Sequence, residues 1–82
     1  MRFPFPATRY FDATRERGDR QAIAPEWIAR VLAQPEHQRV QAEGRIRSWG
    51  AVPEAGGRLL RVVLLADGLT VHNAFFDRSF RP

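Results

Sequence analysis

Arg45, Arg47, Trp49, Arg61 and His72 are the residues of this chain whose types could do chemistry together. An arginine fork holds a phosphate through paired hydrogen bonds and stabilises negative charge building on a phosphoryl group. An imidazole titrates near neutrality and can take or give a proton. An indole ring can stack a nucleobase. Cleavage of an RNA phosphodiester uses this combination, with His72 and Arg61 as the catalytic pair and Arg45, Arg47 and Trp49 as contacts to nucleic acid. Arg78, in the aromatic and charged stretch Phe75–Arg81, is a further candidate contact. Each residue also has an ordinary structural role open to it. Arg45 and Arg47 suit any solvated strand face. Arg61, set in an apolar run, could pair with Asp77 or Glu54. Trp49 could pack into the sheet, and His72 could be a bystander.

Strands with a period of two must bring these residues together. Leu59–Leu65 is apolar except at Arg61 and reads as a central strand, Asp67-Gly68 as a hairpin turn, and Thr70–Phe76 as the returning strand. A two-residue loop pairs Ala66 with Leu69, Val63 with His72 and Arg61 with Ala74. Side chains alternate across a strand. One face then carries Leu60, Val62, Leu64, Val71, Asn73 and Phe75, with Asn73 as a buried hydrogen-bonding residue. The other carries Arg61, Val63, Leu65, Thr70, His72, Ala74 and Phe76. Arg61 and His72 become diagonal neighbours, roughly 5–8 Å apart at Cβ. Arg45–Val52 reads as a preceding strand, after a strand at Arg39–Ala42 and a Glu43-Gly44 turn. If its Ile46 faces the helices, then Arg45, Arg47 and Trp49 join Arg61 and His72 on the open face. The loop 53–57 is rich in Pro and Gly.

The helices precede the strands. Thr8–Arg17 fits a helix capped by Thr8 and stopped by Gly18, burying Tyr10, Phe11 and Thr14. Residues 25–34 fit a second, with Pro25 at its first position, Glu26 at the positive end of its dipole and Trp27, Ile28, Val31 and Leu32 on one face. Residues 1–7 read as an extended arm whose Phe3 and Phe5 pack back, and 77–82 as a tail. The expected fold is α+β: one domain over 1–82, with two N-terminal helices packed on one face of a four-stranded antiparallel sheet.

Composition removes several function classes. No cysteine is present, so disulfides and thiolate metal sites are excluded. Two histidines without suitably spaced carboxylates make a poor metal site. Gly56-Gly57 lacks the spacing and lysine of a phosphate loop, and Ser48 and Ser79 lie in no nucleophile motif. No cofactor is expected. The longest apolar run, Val62–Ala66, is too short to span a bilayer, and the first residues lack the apolar segment of a secretory signal. A cytoplasmic protein without a membrane partner is expected. The net charge of +4, carried by thirteen arginines and no lysine, suits RNA or an acidic protein as partner.

The segments IAPEWIARVLAQPE, GRIRSWG and GRLLRVVLLADGLTVHNAFFDRSF, after a short arginine-rich helix, resemble a group of small bacterial domains similar in layout to the RelE/ParE/BrnT-like toxins. The likeness covers about residues 8–80 and rests on element order. It implies two helices on a four-stranded antiparallel sheet. In the toxin members it further implies mRNA cleavage, on the ribosome or free, neutralised by a cognate antitoxin. By position on the sheet it carries over to Arg61 and His72, with Arg45, Arg47 and Arg78. Three readings stand together: a toxin-like ribonuclease, a non-catalytic module for RNA or an acidic protein, and a structural protein that dimerises through a strand edge or its Phe-rich tail.

Overall fold

The computed structural model describes residues 3–80; Met1, Arg2, Arg81 and Pro82, the outer ends of the expected arm and tail, lie outside the described residues. Three helices come first, α1 Arg9–Thr14, α2 Gly18–Gln21 and α3 Pro25–Ala33. Four strands follow, β1 His37–Val40, β2 Ile46–Val52, β3 Arg58–Leu64 and β4 Val71–Phe76, with a 3-10 turn at Pro53–Ala55. The strands form one antiparallel sheet in the order β1-β2-β3-β4. The fold is α+β.

Local chemistry explains most of these boundaries. Thr8 caps α1, its Oγ1 accepting the Phe11 amide at 3.1 Å. The helix is shorter than its pattern suggests. The Thr14 hydroxyl donates to the Phe11 carbonyl at 3.0 Å, a bond that competes with the helical ladder. The Arg15 guanidinium then donates to the carbonyls of Arg20 and Ile23, folding the chain sharply back. Gly18, expected as the stop of the first helix, has no positive φ and instead starts α2. Pro25 and Glu26 open α3, which buries Ile28 and Val31.

The core joins Phe11, Ile23, Ile28 and Val31 to Val52, Leu60, Val62, Leu64, Val71 and Ala74. Helix α3 lies against β2 and β3, and α1 against β4. Gly50 permits the close approach of α3, since a Cβ there would sit 3.0 Å from Val31 Cγ2. Phe3 and Phe5 stack at 5.4 Å and both meet Phe11 edge-on, sealing one end. Tyr10, expected in the buried stripe, is 47% exposed.

Strand β4 departs from regular alternation. The expected pairing holds at Leu64–Val71 and then shifts by one, so that Val63 pairs with Asn73 and Arg61 with Phe75. His72 is the extra residue of this bulge. Beyond it the faces are exchanged relative to strict alternation. Ala74 is buried and Phe76 packs on the core, while Asn73 and Phe75 share the open face with Arg61. The arm reinforces the bulge: the Val71 amide donates to the Pro6 carbonyl at 2.8 Å and the Thr8 amide to the Val71 carbonyl at 3.0 Å. Among the described residues no helix is long and apolar enough to cross a membrane.

Candidate functional site

Cross-strand pairing sets the open face. Trp49 lies opposite Arg61, Arg47 opposite Val63, and Arg39 opposite Arg47. At the α1 end this face opens into a cleft of about 230 Å³, whose lining includes Tyr10, Glu43, Arg45, Arg47, Arg61, His72, Asn73 and Phe75. Four of the six residues singled out from the sequence therefore meet in one place.

Their electrostatics differ. Arg45 is exposed and Arg47 half-buried, and neither has a carboxylate partner among the described residues. Arg61 sits 3.5 Å from Asp77 and lies over the Phe75 ring at 4.3 Å. Burial and nearby Arg47 disfavour its charge, Asp77 supports it, and its buried Nε has no acceptor among the described residues. The expected alternative partner, Glu54, pairs with Arg30 at 2.8 Å. Burial, and then the charge of Arg45, hold the His72 pKa below the ordinary imidazole range. The ring is therefore neutral at physiological pH. Its Nδ1 lies 3.1 Å from Thr8 Oγ1, and Tyr10 stacks on it with centroids 4.7 Å apart.

No protein-family model, no curated protein and no solved structure matches this chain. Nothing in these comparisons links the chain to the RelE/ParE/BrnT-like toxins.

Trp49 requires a correction. It lies on the open face but is 2% exposed, its Nε1 donating to Asp77 Oδ2 at 3.0 Å. Phe80 covers its ring at 4.5 Å, and Arg39 lies over both rings. A base has no access to the indole in this arrangement. Tyr10 is the accessible aromatic at the cleft. Arg78 is exposed and lies away from the cleft lining. Asn73, expected in the core, lines the cleft, and its Oδ1 accepts from Arg20 at 2.8 Å. Arg20 also lies over Phe75, so α2 buttresses this end of the face. Sequence alternation missed Tyr10, Asn73 and Phe75 because the β4 bulge and the short α1 have no compositional mark.

Proposed function

We propose that this chain is an RNA-interacting domain of the toxin type, in which the arginines of the cleft hold a phosphate and His72 accepts a proton. The observation that supports this most is the convergence of Arg45, Arg47 and Arg61 around one neutral imidazole. Cationic forks suit a phosphodiester, and an imidazole with a lowered pKa is free to act as a base. In the step proposed, the ribose 2′-hydroxyl gives its proton to His72 as its oxygen bonds to phosphorus. The P–O5′ bond breaks, O5′ takes a proton from water, and the hydroxide left takes the proton held by His72. The products are a 2′,3′-cyclic phosphate and a 5′-hydroxyl. The arginines stabilise the charge of the intermediate phosphorane. In this reading the helices cover one sheet face and the other face works, in the cytoplasm, under the control of an acidic antitoxin that masks the arginines.

A second reading is a non-catalytic RNA-binding module. It is favoured by the position of the other histidine, His37, whose ring meets Phe80 at a tilt with centroids 4.9 Å apart and does not line the cleft, leaving no second imidazole for the leaving group. Incubation of labelled single-stranded RNA with wild type and His72→Ala separates the readings. Cleavage lost about 10²–10⁴-fold in His72→Ala supports the first. Binding without cleavage, weakening steeply with salt and less steeply after Arg47→Ala, supports the second. Salt-independent binding, or none, overturns both.

A further inference from the structure

His72 enters the cleft as the bulged residue of β4, and the segment from Pro6 to Tyr10 grips it. Main-chain bonds tie Val71 to Pro6 and Thr8. Tyr10 stacks on the imidazole, and Thr8 Oγ1 meets Nδ1 at 3.1 Å while also accepting the Phe11 amide. A threonine hydroxyl has two lone pairs and one proton. Phe11 occupies one lone pair, so the hydroxyl can either donate to a bare Nδ1 or accept from Nδ1–H. The surroundings of the ring decide between them. Arg45 acts on it directly, and Arg47, Arg61 and Asn73 line the same cleft, with Glu43 as the carboxylate of that lining. A positive field favours a lone pair directed toward it and disfavours an N–H dipole directed the same way.

We propose that Thr8 is a positioning residue that accepts Nδ1–H, so that neutral His72 is held with Nε2 bare and available to the arginine cleft. This reverses the ordinary preference of a free imidazole side chain for a protonated Nε2. It gives His72 the state that a proton acceptor needs, and one nitrogen's hydrogen bond sets the other's role. The inference rests on the RNA-cleavage reading for its use, since it assigns Nε2 as the atom that takes the 2′-hydroxyl proton. The tautomer itself belongs to the free protein.

Nitrogen NMR of labelled protein, recorded above the imidazole titration range, tests it directly. Wild type is expected to show His72 protonated at Nδ1. Thr8→Ser keeps both hydrogen bonds and keeps that tautomer. Thr8→Val removes the acceptor and moves His72 toward the Nε2–H form. Because Thr8→Val also removes the α1 cap, Thr8→Asp supplies a variant that retains a capping acceptor. It keeps Nδ1–H and raises the His72 pKa, shifting the acid limb of RNA cleavage to higher pH. A wild-type Nε2–H tautomer, an unchanged tautomer in folded Thr8→Val, or an unmoved pKa in Thr8→Asp overturns the role of Thr8. If the tautomer is as expected but wild type leaves RNA intact, the cleavage reading fails and the role of Thr8 stands. If RNA is cut while Nε2 carries the proton, the reverse holds.

Discussion

Replacing Asp77 with alanine is expected to cost about 2–4 kcal/mol of stability, although it lies just past the last strand. Its Oδ2 is the acceptor for the Trp49 indole, which is 2% exposed and has no water to turn to. Leaving that buried donor unpaired costs about 1–3 kcal/mol. Arg61 loses its counter-charge at 3.5 Å, but its side chain is 23% exposed, so solvent limits this loss to about 1 kcal/mol or less. The two bonds that Oδ1 accepts from Ser79 hold the exposed turn and add about 0.5 kcal/mol. In a domain of this length each kcal/mol lowers Tm by about 4–8 °C, so a fall of about 8–32 °C is expected by calorimetry. Asp77→Asn keeps an acceptor and is expected to lose about half as much. A urea-denaturation cycle pairing Asp77→Ala with Trp49→Phe is expected to give a coupling of about 1–2 kcal/mol. The pH dependence has a definite sign. Burial, the largest single influence, pushes the Asp77 carboxyl up, but Trp49, Ser79 and Arg61 together bring it below the ordinary range. Its contribution is therefore present above the unfolded pKa and is lost as pH falls through the lower folded value. Asp77→Asn removes that acid limb. An Asp77→Ala protein within about 0.5 kcal/mol of wild type, or a coupling near zero, would refute this reasoning.

Two further outcomes follow from the geometry. Arg45→Ala is expected to raise the His72 pKa toward the ordinary imidazole value, leaving part of the depression because burial is the larger cause, as read by NMR titration. In wild type the depressed imidazole makes stability fall as pH drops from the unfolded pKa through the folded one, and Arg45→Ala narrows that window. Gly50→Val is expected to destabilise by about 1–3 kcal/mol in chemical denaturation, because its Cβ would meet Val31 Cγ2 at 3.0 Å. Pairing it with Val31→Ala should recover part of the loss.

The faces of β2 and β3 were legible because their pairing runs without a bulge, so counting by two assigned Arg47, Trp49 and Arg61 to one side from order alone. The Thr8 cap was legible because it is a local interaction of a small hydroxyl with the next turn. The second half of β4 was not. Asn73 and Phe75 are chemically no better suited to the open face than Ala74 and Phe76, and the bulge that exchanges them comes after the expected Leu64–Val71 pair and is held by the arm, a contact far away in sequence. Alternation likewise gave the side on which Trp49 lies but not what covers it. The cover comes from Asp77 and Phe80, which bind the indole only after the tail has folded back. Tyr10 was misassigned because a helical stripe of three residues left little to distinguish the position next to Phe11 from the core itself.

The bulge at His72 makes chain length in β4 matter in a different way from side-chain identity. A substitution at any position there changes one contact. Removing His72, by contrast, would take out the extra residue alone: Asn73 would still meet Val63 and Phe75 would still meet Arg61, so strict alternation returns with the two faces of the later strand unchanged. Chain length at the bulge thus governs the cleft and not the core: one residue fewer there takes the imidazole from the open face while the buried side of β4 keeps its partners.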